Sequence, residues 1–303
     1  MTQPHVDRPP RAVLSATLLV LFSACCFGSI AILITLGTRS GARLIDLLLW
    51  RYAVAAVLLA AVSGGMRAFR LGPSRTVKLL VLTGGGQAAI AFVTLSALKY
   101  IPAASLTFLF YTYPAWVAAI SAVRRTERLT TVRVIALLLS LSGVAFMVGV
   151  PGAGGLNPTG VALALLGALI YAAYIPMMGH LGGDLSPAVT STYASVGAAA
   201  IFLAASLAAG PLNLHFTPVA LVCIALLAVV CTVFAFIAFL RGLAVIGPVR
   251  TAIISTIEPF WTALLAGAVL GQVPGPRTFV GGVLIASAVI VLQLAHARGS
   301  KRG

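Results

Sequence analysis

Long stretches without any charge divide this chain. Ala12 to Thr38, Leu79 to Leu98, Tyr100 to Val123, Val134 to Gly183 and Leu185 to Leu240 contain no Asp, Glu, Lys or Arg. Each is at least the roughly 20 residues that a helix needs to cross a bilayer, and the last two have room for two or more crossings apiece. Breaks at glycine, proline and basic clusters predict ten helices, at 12–37, 44–63, 77–98, 102–123, 132–150, 159–179, 187–208, 217–240, 248–270 and 277–296. The second is the least regular, because Asp46 and Arg51 fall inside it. The first run is too long for the apolar core of a signal peptide and many spans follow it, so it reads as a retained helix. The expected fold class is all-α, a polytopic membrane bundle of ten transmembrane helices.

The chain also repeats itself. A shift of 145 positions lays Ala97-Leu98-Lys99-Tyr100-Ile101-Pro102 over Gly242-Leu243-Ala244-Val245-Ile246-Gly247, and Tyr113-Pro114-Ala115-Trp116 over Glu258-Pro259-Phe260-Trp261. Five spans per half is an odd number, so the second copy enters the membrane upside down. Inverted five-helix repeats are an architectural mark of alternating-access transporters. The expected units are residues 12–150 and 158–296, joined by the uncharged external linker Pro151–Pro158.

Composition agrees with this pattern. The 303 residues are 60% hydrophobic and only 8% charged, against about 25% charged in soluble domains. The net charge of +15 does not imply nucleic acid, because the basic residues sit at loops. With both termini in the cytoplasm, only Arg39, Arg43, Lys99 and Arg277 of the 20 Lys and Arg fall outside, and Arg51 lies within a span. That is the positive-inside pattern, and the expected location is the plasma (inner) membrane. Cys25, Cys26, Cys223 and Cys231 all fall inside predicted spans, where a thiol packs as a small hydrophobe.

One acid stands apart. Glu258 is the only charge between Arg250 and Gln272, near the middle of a membrane-length segment. An ionisable group at that depth costs about 2.5–3.5 kcal/mol on insertion scales and usually lines a solute or proton path. Thr251, Ser255, Glu258 and Thr262 are spaced four, three and four, which puts them on one helical face with Trp261 beside them. Two readings stay open: a cavity wall carrying a proton- or amine-binding carboxylate, or a carboxylate that bonds a neighbouring helix and holds the bundle together. Pro259 and its repeat partner Pro114 each remove an amide hydrogen and free a carbonyl one turn earlier. They kink their helices, either to expose backbone to a ligand or only to shape the bundle.

Phe27, Tyr113, Tyr171 and Tyr174 are aromatic candidates for the same cavity, and Gln87 shares a face with Thr83 and Thr94. Each is equally readable as packing. Gly84-Gly85-Gly86 permits close helix contact. Arg51 either snorkels outward, pairs with Asp46, or forms an anion site. The acids Asp7, Asp46, Glu127, Asp184 and Glu258 are dispersed, and the histidines lie at ends and loops. The sequence holds no metal-ligand spacing, no phosphate-binding glycine loop and no nucleophile–base set. Neither a cofactor nor catalysis is expected.

With these residues in view, the chain resembles the EamA family of the drug/metabolite transporter superfamily, in its ten-helix, two-repeat form. The resemblance runs over roughly 12–295. It is carried by Ala97 to Ala104, Pro114, Glu127-Arg128-Leu129-Thr130 and Gly143-Val144 in the first half, and by Gly242-Leu243, Glu258-Pro259 and Gly281-Gly282 in the second. Relatives usually carry Gly-Glu after the ninth helix; here Gly271-Gln272 stands instead, while the first-half counterpart Glu127 is kept.

The resemblance implies metabolite or amino-acid transport, often export, through a cavity between the halves. The expectation is a secondary transporter of a small metabolite, an amino acid or amine-bearing compound. It would work by alternating access, with proton exchange at Glu258 or as an uncoupled facilitator. The partners expected are that substrate, the lipid bilayer and protons, with no nucleic acid. The competing class is a non-transporting membrane protein, either a lipid-modifying enzyme or an assembly partner.

Overall fold

The computed structural model describes residues 10–64, 69, 71–97, 99–101, 103–127, 129–148 and 156–299. Leu98, Pro102, Arg128, most of the linker between halves and the extreme termini lie outside the described residues.

Among the described residues, ten crossings are built from fourteen α-helices and two π segments. α1 (Pro10–Gly28) and α2 (Ile30–Arg39) form the first, and α3 (Leu44–Val62) the second. α4 (Pro73–Lys78), a π-helical segment (Leu79–Gly84) and α5 (Gly85–Ala97) form the third. α6 (Ala103–Phe110) and α7 (Tyr113–Val123) form the fourth, and α8 (Thr131–Val148) the fifth. The second half runs α9 (Pro158–Gly182), α10 (Pro187–Ala208), α11 (Pro218–Ala228), a second π segment (Val229–Phe234), α12 (Ala235–Ser255), α13 (Glu258–Leu270) and α14 (Pro276–Gly299). The apolar run Pro218–Ser255 is 38 residues long, enough for more than one crossing. The chain turns within it at Gly247, whose φ of 78° and ψ of 168° are not helical. The eighth crossing ends there and the ninth begins at Pro248. The architecture is therefore the ten-helix, two-repeat bundle that the charge-free runs predict.

Local chemistry explains the helix starts. Asn157, Ser186 and Thr217 accept bonds from the backbone N–H groups of Thr159, Val189 and Ala220. Each is followed by a proline at the first helical position, where the missing N–H has no partner to lose. In a membrane every end must be closed in this way or reach water. Leu14, Leu18, Phe22, Leu221, Val222, Val283 and Ile290 are exposed and cover the outside with the apolar surface that lipid requires.

The two halves pack through equivalent pairs. α3 lies on α10 and α8 on α14, while α1 lies on α12 as α9 lies on α5. Under the repeat register these are the contacts that a two-fold axis generates. Small residues set the spacing. A Cβ on Gly84 would stand 2.6 Å from the carbonyl carbon of Gly197, and one on Gly143 would stand 2.7 Å from the carbonyl oxygen of Gly281. Gly86 makes room for the Tyr174 ring, whereas Gly85 faces open space. The third helix of each half also carries a π segment, where one carbonyl leaves the regular ladder.

Charges at the helix ends are matched across the bundle. Asp46 is buried and accepts from Arg43 Nε at 2.6 Å, Arg43 Nη2 at 2.9 Å and Ser206 Oγ at 2.7 Å. Arg43 also reaches the Pro211 carbonyl at 3.1 Å. The pairing of Arg51 with Asp46 that proximity in sequence suggested is therefore absent, because Arg43 sits one turn before the acid and presents its guanidinium fork. On the other membrane face Arg75 pairs with Asp184. The bond holds the Asp184 carboxyl below its ordinary range, but both side chains are exposed. Exposed pairs add little stability, so Asp184→Asn should leave the thermal unfolding midpoint in detergent unmoved.

Candidate functional site

The site begins with two matched interruptions. The fourth crossing breaks at Tyr111–Thr112 and the ninth at Thr256–Ile257, which correspond under the shift of 145. The backbone stays near helical there, with φ −74° and ψ −10° at Thr112 and φ −67° and ψ −20° at Ile257. The hydrogen-bond ladder alone is interrupted, because Pro114 and Pro259 follow within two residues and supply no N–H. Both prolines thus stand in the first turn of a new half-helix. Glu258 is the first residue of α13, where unpaired amides favour a negative charge.

The Glu258 carboxylate accepts from the Tyr111 hydroxyl at 3.0 Å through Oε2. Its Oε1 is buried and has no hydrogen-bond partner among the described residues. Thr262 Oγ1 donates to the Gly28 carbonyl at 2.8 Å and lies 2.9 Å from that of Glu258. Trp261 Nε1 donates to Ser29 Oγ at 2.9 Å. These bonds tie α13 to the break between α1 and α2. Trp261→Phe removes one of them while keeping most of the ring; about 1 kcal/mol of stability should be lost in equilibrium unfolding in mixed micelles.

Not all of the predicted stripe faces one space. The break at Thr256–Ile257 divides it, so Thr251 and Ser255 belong to α12 and Thr262 to α13. Thr251 donates to the Gly247 carbonyl at 2.7 Å, its own preceding turn. Ser255 is buried beside the Tyr113 hydroxyl. Tyr113, the repeat partner of Glu258, reaches the Ala252 carbonyl at 3.4 Å instead of the carboxylate. The tyrosine that meets the acid is Tyr111, which the repeat register did not single out. Phe260, close to the acid in sequence, packs against Gly282.

Three of the aromatic candidates, Tyr113, Tyr171 and Tyr174, join with Phe110 and Tyr111 into one seam. Tyr113 lies 4.7 Å from Tyr171, ring centre to ring centre, and Phe110 stacks on Tyr171 at 5.5 Å. Tyr171 stacks on Tyr174 at 6.5 Å, and Tyr111 lies 5.9 Å from Tyr113. The Tyr174 hydroxyl is buried without a partner among the described residues. Gln87 does not reach the acid; it donates to the Tyr52 hydroxyl at 2.9 Å, and Tyr52 stacks on Phe202. Phe27 lies against Phe236 and Phe239 at 5.6 and 6.1 Å. In this conformation the Tyr111 hydroxyl covers one oxygen of the Glu258 carboxylate, and the other is buried. Two shallow apolar grooves, one between α2 and α11 and one on α14, are lined by none of these residues.

At the loop between the fourth and fifth crossings Glu127 pairs with Arg133 Nη1 at 2.7 Å and reaches the backbone N–H of Val249 at 3.4 Å. Burial pushes its carboxyl up, and the neighbouring Arg133 opposes that shift. Gly247 leaves it room: a Cβ there would stand 2.6 Å from Glu127 Oε1.

Ten crossings in two inverted repeats, broken at matched points around a half-buried acid, define a polytopic membrane protein of the two-repeat type. A crystal structure of a protein 21% identical to this chain superposes on 94% of it and on 98% of its own length, with a TM-score of 0.78. That likeness shows the fold. The sequence profile of the EamA-like transporter family matches residues 14–149 and 158–294. The chain belongs to that family, and its class is membrane transport. No curated protein matches it.

Proposed function

We propose that this chain is a secondary carrier of the plasma membrane, with both termini cytoplasmic, that exports a small amphipathic metabolite by alternating access. The substrate class is an amino acid or amine-bearing compound, and Glu258 exchanges its proton for the substrate cation. The observation that supports this most directly is the half-paired carboxylate: Oε2 is held by Tyr111 while Oε1 has no hydrogen-bond partner among the described residues. A carboxylate serving only to lock helices would gain by satisfying both oxygens. The tyrosine seam offers stacking surface, and a strongly anionic substrate would need more cations than the spans supply.

The test is counterflow in proteoliposomes preloaded with an unlabelled amino-acid pool. Wild type should accumulate label from an external labelled pool. No accumulation by folded wild type would overturn the amino-acid reading.

A further inference from the structure

Arg51 is 3% exposed and stands seven residues past the start of α3, about 10 Å into a span. Asp46, the acid nearest in sequence, is taken by Arg43. Arg51 instead reaches across to the second repeat. Its Nε donates to Thr232 Oγ1 at 2.8 Å and its Nη2 to the Cys231 carbonyl at 3.1 Å. Both acceptors lie in the π segment Val229–Phe234. The Ala235 N–H at its end reaches the Val230 and Thr232 carbonyls and passes over that of Cys231, four residues back, which an α-helix would use. Lipid offers no donor to a carbonyl that has left the ladder. Arg51 supplies one, and the two acceptors in turn solvate a buried cation.

The extra residue of the π turn shows on the lipid side of the eighth crossing. Val219, Leu226, Phe234 and Arg241 are exposed and spaced seven, eight and seven. Seven residues make close to two α turns. The eight from Leu226 to Phe234 keep both stretches on one face only because the π turn absorbs a residue. Phe236 and Phe239 follow in that register and meet Phe27 at 5.6 and 6.1 Å. The first π segment is closed without a charge. Thr83 Oγ1 donates to the Leu79 carbonyl at 2.5 Å, and a Cβ on Gly197 would overlap the Leu80 oxygen, so a bare glycine Cα lies against that carbonyl. Val196, which the shift of 145 lays over Arg51, is exposed.

We infer that Arg51 is the positioning residue that fixes the register of the eighth crossing. Its two bonds keep Val229–Phe234 in the π form. Without them the segment re-closes as α-helix and turns one side of the crossing by about 100° against the other, which parts Phe236 and Phe239 from Phe27. The donor belongs to the first repeat and the acceptors to the second, so movement of one repeat against the other acts on this register.

Nitroxide labels on the lipid side read the register in bilayers. The four free cysteines are removed as Cys25→Ala, Cys26→Ala, Cys223→Ala and Cys231→Ala, which keeps the backbone carbonyl that Arg51 uses. Labels attached at Leu226→Cys or at Phe234→Cys should both collide freely with dissolved oxygen. In Arg51→Met, which removes the donors and keeps an apolar span, one of the two should turn from lipid and lose collisions several-fold. Arg51→Lys, which keeps a charged donor for the carbonyl, should restore most of them. A label at Val81→Cys, exposed in the first π segment, should not change. If Arg51→Met lacks a monodisperse elution profile, Thr232→Val decides: it keeps the volume, removes the Nε acceptor and should lower the same label's collisions. Labels at 226 and 234 that both stay unchanged in a folded variant would overturn the assignment. An equal fall at 81 would do so too, because it marks general loosening. The register is read without transport, so the outcome is separate from that of the counterflow test.

Discussion

Glu258→Gln should lower amino-acid counterflow by about 100-fold or more and remove most of its pH dependence. The amide keeps the shape of the carboxylate and still accepts from Tyr111, so folding should survive. It cannot bind a proton or balance an ammonium. Removing one member of a desolvated charge pair costs about 2–5 kcal/mol, which is at least tens-fold in rate or affinity. A variant with wild-type counterflow at every pH would show that the acid is a packing feature. Tyr111→Phe is the companion measurement. It frees Oε2 and should change the pH profile while leaving the charge in place.

The second large effect is structural. Gly197→Val should cost about 3 kcal/mol or more, at the upper end for overpacking, and yield little monodisperse protein. A Cβ on Gly197 would stand 2.9 Å from Gly84 Cα and 3.2 Å from the Leu80 carbonyl carbon. Both are backbone atoms of the first π segment, so no side-chain rotation relieves the clash. Gly85→Ala is the control. Nothing lies within 4 Å of a Cβ there, and the substitution should stabilise the helix by about 0.5–1 kcal/mol. Equal behaviour of the two variants, measured by size exclusion and thermal unfolding, would refute the close contact.

The ten crossings were legible in the sequence because lipid enforces one rule on every span: carry no unpaid charge. Proline at positions 114 and 259 announced interruptions for an equally local reason, the missing N–H. The partners were harder to read. Tyr111 and Tyr113 are two residues apart and chemically alike, so only the rotation of a kinked helix decides that Tyr111 meets Glu258. The spacing of Thr251, Ser255, Glu258 and Thr262 assumed a continuous helix, and the break at Thr256–Ile257 divides them. Of the readings offered for Arg51, only the pair with Asp46 is excluded, because Arg43 lies one turn before that acid and takes it. The π segments carry no composition signal and appear only when the third helices are packed.

The Glu127 contact between the halves bears on how the proposed carrier would rest between cycles. Its carboxylate comes from the first repeat, while Gly247 and the Val249 amide belong to the second. The equivalent register on the other face puts Gln272, an exposed neutral residue, where Glu127 stands. Parting the halves at the Glu127 face must therefore break the bond from the Val249 amide and uncover a partly buried carboxylate, and parting them at the other face need not. Two repeats that match in shape are unequal in the work their doors require. On the proposed alternating-access cycle, that inequality would hold the Glu127 face closed when solute is absent.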